Sequence, residues 1–183
     1  TRDLHVKHQR AISRFERDLF RGSKYVQSDL SGVFKFVKQD LRAGLTVLFS
    51  GTPCQTAGLH SFVGNKLRDN LILIDIVCHG ANSTLAYRSF VKEIAKDRKV
   101  TKVNFRDKSV FGWSTPVTIN FSDQSVYNAA WNQNKWNDAF YEGIINRECC
   151  SSCHYAQRKR IGDITLGDFW QVQKFRLIKH HTS

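Results

Sequence analysis

The sequence predicts an α/β protein built on an open, mainly parallel or mixed sheet flanked by helices, with an added β-hairpin and a cysteine-bearing loop in its second half. Three observations carry that expectation. Short apolar runs, each interrupted by one polar residue, stand at residues 45–49 and 71–77, amphipathic helical stripes surround them, and beyond Val100 the pattern changes to alternation. Continuously apolar strands suit a parallel sheet covered on both faces, whereas alternation belongs to strands with one wet face.

Taken in order, Leu4, His8, Ala11, Ile12, Phe15 and Leu19 recur at helical spacing and predict an opening helix. Arg21-Gly22-Ser23-Lys24 breaks it before a short extended Tyr25-Val26-Gln27. Leu30, Val33, Phe34, Val37 and Leu41 form a second stripe, with Ser28 or Asp29 as its start and Gly44 as its stop. The strand at 45–49 leads into a helix that opens at Thr52-Pro53-Cys54-Gln55 and ends near Gly64. After the strand at 71–77, Asn82 or Ser83 opens a helix carrying Tyr87, Phe90, Val91 and Ile94. Val117, Ile119 and Phe121 alternate with Thr118, Asn120 and Ser122, and the turn residues 122–125 then lead to Val126 and Tyr127, a hairpin with one face toward water. An Asn- and Trp-rich stretch over 128–137 crosses to a short helix ending near Asn146.

The 183 residues suit one domain, 1–183, and the absence of Met together with the opening Thr1 predicts a piece of a longer product. An aromatic content of 12% gathered in apolar blocks excludes disorder. The apolar run at 71–77 is far shorter than the ~20 residues a membrane span needs, and nothing resembles a signal peptide, so a cytoplasmic protein is expected. The formal charge of +12 calls for an acidic partner. Basic residues are spread through the chain without a nucleic-acid-binding module, which disfavours nucleic acid and leaves an anionic cofactor or an acidic protein. Five cysteines, an odd number without export features, argue against a disulfide framework and for metal or thiol chemistry.

Thr52 suits a helix N-cap, Pro53 the first helical position, and Gln55 completes a capping box. Cys54 then lies in a first turn, where the positive end of the helix favours thiolates and anions; a buried structural cysteine is the plainer alternative. Cys78 follows the next strand in Val77-Cys78-His79-Gly80, so both thiols are expected at the carboxyl edge of the sheet, where open α/β folds hold ligands. Cys150 and Cys153 form a C-x2-C pair, and with Cys54 and Cys78 they make four ligands, enough for a tetrahedral zinc or a cubane iron–sulfur cluster. Cys149 is surplus to that set.

Arg21-Gly22-Ser23-Lys24-Tyr25, Gly51-Thr52-Pro53-Cys54-Gln55, Val77-Cys78-His79-Gly80, Phe105-Arg106-Asp107-Lys108 with Gly112-Trp113, Cys150-x2-Cys153 and residues 160–170 occur in this order between residues 21 and 170. In these stretches the sequence resembles the beta-subunit family of coenzyme F420 hydrogenases and dehydrogenases, which also includes 7-hydroxymethyl chlorophyll a reductase. The resemblance implies an oxidoreductase with FAD and 4Fe-4S clusters, taking electrons from a donor protein such as a ferredoxin or an N-terminal ferredoxin module. It also implies a small organic acceptor such as coenzyme F420. Two departures stand out: the closely spaced N-terminal cysteine run of many relatives is lacking, and Gln171 follows Trp170 where the family has Gly.

His79 is then a candidate proton donor, or an imidazole that satisfies backbone groups. Lys24, in its Gly-containing loop, is a candidate grip on a pyrophosphate, with a solvated basic turn as the alternative. Thr52, Gln55 and Gly80 offer further donors to a dinucleotide phosphate. Trp113, Trp131, Trp136 and Trp170 are candidates to stack a flavin, or core anchors. Asp163 and Asp168 flank a short apolar strand and are expected to pair with Arg158 and Arg160, a basic run that also offers a face to an acidic ferredoxin. The rival reading is a non-catalytic binding domain stabilised by zinc on the same four cysteines; a thiol hydrolase using Cys54 and His79 lacks a third residue to orient the histidine.

Overall fold

The computed structural model describes residues 4–111, 117–129 and 133–168. Along them run α1 (Arg14–Asp18), α2 (Val33–Arg42), β1 (Val47–Gly51), α3 (Pro53–Val63), β2 (Leu71–Ile76), α4 (Thr84–Ala95), β3 (Val100–Asn104), α5 (Lys108–Phe111), β4 (Val117–Phe121), β5 (Val126–Ala129), α6 (Lys135–Tyr141), α7 (Glu148–Ser151) and β6 (Ile164–Leu166). The chain divides into two units, each made of two stretches: Thr1–Lys35 with His79–His154, and Phe36–Cys78 with Tyr155–Ser183. Among the described residues, no helix is long and apolar enough to cross a membrane.

The second unit holds the expected parallel sheet, in the order β1-β2-β6. β1 and β2 pair from Val47↔Leu71 to Gly51↔Asp75, and β2 and β6 from Ile74↔Ile164 to Ile76↔Leu166. Phe49, Leu71 and Leu73 are buried, as are Ala57, Leu59 and Val63 of α3, which packs on β1 and β2. Among the described residues burial on both faces does not occur: Leu48, Ile72, Ile76, Ile164 and Leu166 remain exposed, so β2 alternates in burial although five of its six residues are apolar.

A buried acid holds this sheet together. Asp75 in β2 has no solvent exposure. Its Oδ1 accepts from Thr165 Oγ1 at 2.6 Å and lies 3.2 Å from Arg160 Nη2, while Oδ2 accepts from the Gly162 N–H at 3.3 Å. Gly162 packs so closely that an added Cβ would lie 2.9 Å from Asp75 Cγ. Asp163 adds a second tie: its Oδ2 accepts from the Leu73 N–H at 2.7 Å and its Oδ1 from Arg68. The Leu73 N–H, with Arg68 beside it, holds the Asp163 carboxyl below its ordinary value. The expected carboxylate pairings are therefore exchanged, because Arg160 turns to Asp75 on the central strand and Asp163 takes Arg68.

The first unit contains an antiparallel sheet, β3-β4-β5, closed by the expected hairpin. Tyr87, Val91 and Ala95 of α4 share a core with Phe105, Val117, Ile119, Phe121 and Trp136. The wet face does not appear on β4, where Thr118 is buried too and its hydroxyl donates to Asn128 Oδ1 at 2.8 Å. The opening helix is confined to α1, capped by Ser13. Upstream the chain is extended, since the Asp29 N–H donates to Val6 O at 2.8 Å and the His8 N–H to Asp29 O at 2.9 Å. Pairing with a segment twenty residues away overrides the helical period, and Ile12, Phe15 and Leu19 stay exposed.

Removing the Asp75 carboxylate strands a guanidinium, a hydroxyl and a backbone N–H. Asp75→Ala is expected to lower unfolding free energy by about 3–5 kcal/mol, the usual range for half of a buried ion pair, and Asp75→Asn by less. Urea unfolding followed by circular dichroism measures it; a loss below about 1 kcal/mol for Asp75→Ala would show that the tie is not structural.

Candidate functional site

In the second unit the chemistry gathers where β1 and β2 end. Thr52 caps α3, with its N–H donating to Gln55 Oε1 at 3.0 Å, and Thr56 Oγ1 donates to Pro53 O at 2.9 Å. Gly51 keeps this turn uncrowded, because a Cβ would press on the side chains of Phe49 and Gln55, 3.0 Å from Phe49 Cε1 and 3.1 Å from Gln55 Oε1. Gln55 is buried, with its side-chain oxygen closing the helix start, and Cys54 is presented outward with its Sγ 3.1 Å from Thr52 Oγ1. Cys78 stands at the same edge: the Val77 N–H donates to Leu166 O at 2.8 Å, and Cys78 follows. Since Gly51 pairs with Asp75, Cys54 and Cys78 are each the third residue beyond a paired position.

In the first unit, His79 is exposed and its Nε2 lies 3.2 Å from Tyr141 O. A carbonyl only accepts, so Nε2 carries the proton and Nδ1 is the nitrogen left for proton exchange. Its ring stands edge-on to Phe140, with centroids 5.1 Å apart. Gly80 has φ +144°, and a Cβ there would lie 2.5 Å from Asn146 Nδ2. Asn82 is fully buried and donates from Nδ2 to Tyr25 O at 2.9 Å, while its own carbonyl accepts from the Gln27 N–H at 3.2 Å. Asn82 and Asn146 also form an antiparallel bridge. Flanking it, the Ser83 N–H donates to Ile145 O at 3.2 Å and the Arg147 N–H to Ala81 O at 3.0 Å.

Residues 79–83 are thus clamped between residues 25–27 and 145–147, and the cysteine turn begins from that clamp. The expected loop is the short helix α7, in which the Cys150 N–H donates to Arg147 O at 2.8 Å. Cys149 is exposed, and Cys150 and Cys153 are half-buried. By local pattern Asn82 and Asn146 stand only at helix ends. An Asn in a polar turn gives no sign of a partner dozens of residues away, so their pairing was not legible in the sequence.

Two of the motifs noted in the sequence meet in one cavity of about 170 Å³: Arg21, Gly22, Ser23 and Lys24 line it, and so do Lys102, Asn104 and Phe105. Tyr25 stands edge-on to Phe105, with centroids 6.3 Å apart. Lys24 Nζ donates to Phe20 O at 2.5 Å and to Arg21 O at 3.0 Å, and burial lowers the pKa of its ammonium. Of the expected cofactor-binding residues in this unit, Lys24 lines the cavity. Gly80 instead makes room for Asn146. Trp136 is a core residue, and Trp113, Trp131 and Trp170 lie outside the described residues.

The five cysteines are free thiols. Among the described residues, no three of His, Cys, Asp or Glu stand together as ligands for one metal ion. The donor chemistry of a thiolate site is therefore present in two pairs, Cys54 with Cys78 in one unit and Cys150 with Cys153 in the other.

Residues 44–183 match the family described as the C terminus of the coenzyme F420 hydrogenase/dehydrogenase beta subunit. The chain is also similar to a solved chain of the F420-reducing NiFe hydrogenase complex from Methanosarcina barkeri, with a TM-score of 0.51 and 16% identity over 90% of this chain and 57% of that one. At that identity the likeness shows the fold, and this chain spans little more than half of that relative's length. No curated protein matches the sequence.

The clamp can be probed at its tightest point. Gly80→Ala is expected to lower stability by roughly 1–3 kcal/mol, from the left-handed backbone and the displaced Asn146 side chain together. Adding Asn146→Gly removes the steric part, so the double variant should recover some of the loss; additive losses in a thermal or urea melt would deny the contact.

Proposed function

The chain belongs to the coenzyme F420 hydrogenase/dehydrogenase beta-subunit family, through its C-terminal part, and we propose that this redox domain carries a 4Fe-4S cluster and FAD. The placement of Cys54 and Cys78 at one carboxyl edge carries the reading, because a purely structural pair of thiols has no reason to choose the edge where α/β sheets hold ligands. Further support comes from the clamp, in which Ala81 and Arg147 pair just before the Cys150-x2-Cys153 turn, and Ala81 is close in sequence to Cys78.

Cys54, Cys78, Cys150 and Cys153 are the proposed iron ligands, with the Thr52 hydroxyl orienting the Cys54 sulfur. Thr52 and Gln55 act by shaping the first turn of α3, whose N–H groups favour an anion. Lys24 and Arg21 supply positive charge at the wall of a cavity sized for part of a dinucleotide, such as its phosphates. Gly80 gives the strand-end segment its close approach to Asn146, and His79, with its Nε2–H given to Tyr141 O, leaves Nδ1 to accept a proton. Bound there, the cluster and flavin would supply one- and two-electron chemistry, and the protein would set their spacing and potential. The proposed donor is a protein such as a ferredoxin or an N-terminal ferredoxin module, and the acceptor a small organic molecule such as coenzyme F420.

Anaerobic purification followed by iron, sulfide, zinc and flavin analysis tests this directly. A brown protein with iron and sulfide is expected; a colourless one holding zinc would favour a four-cysteine zinc-binding domain. Cys54→Ala and Cys150→Ala should each lose the visible absorption, and Cys149→Ala should keep it. Equal iron loss from Cys149→Ala would overturn the choice between the neighbours.

The flavin arm is read separately. Lys24→Ala should weaken FAD by about 1.5–3 kcal/mol, as for a hydrogen bond to a charged group, while sparing the iron. Because Lys24 also ties its own loop, the comparison uses variants with an unchanged thermal midpoint. Equal FAD affinity would remove Lys24 from the site.

A further inference from the structure

α4 carries Arg88 and Lys92 four apart on one face, Lys96 caps its C-terminus, and Lys99 follows beyond the turn. All four are exposed, and among the described residues none is in an ion pair or bonded through its side chain. Like charges four apart destabilise a helix, so Arg88 and Lys92 work against α4 unless something neutralises them. The helix dipole favours cations in the last turn and so accounts for Lys92 and Lys96, but not for Arg88 or Lys99. Glu93 is the one acidic residue of α4, and Asp97 follows Lys96, so four cations stand against two acids between Arg88 and Lys99, with Arg98 besides.

These residues rim a groove of about 420 Å³ whose floor is apolar, formed by Leu4, Val91, Ala95 and Val100. Its wall is rigid. Arg98 donates to Ile94 O at 2.7 Å and to Ala95 O and Ser125 Oγ at 3.3 Å, and its guanidinium sits 3.8 Å over the Phe121 ring. Leu4 and Lys96 adopt φ of +55° and +52°, and Gln124 is the one other non-glycine with positive φ among the described residues. Two left-handed side-chain-bearing residues in one groove is the kind of local strain that collects at binding sites.

We propose that this groove docks an acidic segment of a protein partner, with apolar side chains on the floor and carboxylates against Arg88, Lys92, Lys96 and Lys99. From Arg88 to the end of α4 is about 11 Å of helix, a length matched by two turns of an acidic helix or by three extended residues. Among the described residues no aromatic side chain lines the groove, which leaves it without the stacking platform on which single-stranded nucleic acid depends. The inference stands apart from the cluster and flavin reading, since none of these residues holds a cofactor in it.

Fluorescence anisotropy on the whole chain tests it with three probes: a labelled peptide of interspersed Glu and Leu, the same peptide with Gln for Glu, and single-stranded oligodeoxythymidylate. Wild-type protein should bind the acidic peptide more tightly as salt falls, and the Gln peptide only weakly. Lys92→Glu with Lys96→Glu should weaken the acidic peptide by about tenfold or more, as loss of complementary charge at an interface does. Lys35→Glu with Lys66→Glu, which shifts net charge equally from exposed sites elsewhere, should leave binding within about twofold. Lys92→Gln with Lys96→Gln serves if charge reversal lowers the melting midpoint. Equal weakening by the two Glu pairs, no binding at low salt, or tighter binding of the oligonucleotide that the α4 variant abolishes would each overturn the proposal.

Discussion

A carboxylate without solvent exposure, Asp75, ties together segments of the second unit that lie far apart in sequence. β6 arrives some 90 residues after β2, and three short pairings alone give little to offset the entropy of closing so long a loop. Asp75 adds a hydroxyl, a backbone N–H and a guanidinium to that junction, and Arg160 reaches on to Ile76 O at 2.8 Å. Burying a charge is unfavourable unless its lone pairs are satisfied, and here they are satisfied only when β6 and the loop before it are in register. The same constraint requires glycine at position 162 and aligns β6 so that the Val77 N–H meets Leu166 O, which extends β2 toward Cys78.

The first unit solves the matching problem with amides instead of charges. Asn82 bonds the backbone at Tyr25 and bridges to Asn146, and Gly80 leaves the space that Asn146 fills. Three distant segments converge there: the loop that carries Lys24, the segment that follows Cys78, and the start of the cysteine turn. Neutral amides suit this role, because each carries both donors and an acceptor and fixes a geometry without burying a charge. Residues that chemistry would single out, such as His79 and Cys150, are positioned by residues that chemistry would pass over.

The large positive charge is likewise divided by what each cation touches. Arg160, Arg68 and Arg98 are internal fasteners that cross-link carbonyls and carboxylates, as a planar, multi-donor group can. Lys24 holds the carbonyls of its own loop. The cations at the end of α4 do none of this, and a net charge of +12, which already subtracts the paired carboxylates, does not show where the cations left for an outside partner are concentrated.

What the sequence determined by itself was local. Apolar runs bounded by Gly44 and by the Thr52-Pro53 cap specified β1, α3 and β2, Ser83 started α4, and turn residues 122–125 closed the hairpin, because each signal depends on neighbours within a few residues. That alone set Cys54 and Cys78 at one sheet edge. The tertiary structure decided the pairings that span the chain. Residues 6–8 join Asp29 rather than a helix, β3 adds a third strand to the hairpin, and Thr118 is buried where alternation promised water. Arg160 passes over Asp163 for Asp75, and one face of an apolar sheet stays open. In each case a partner tens of residues away outweighed the local pattern, and one sequence read alone does not record which distant segments meet.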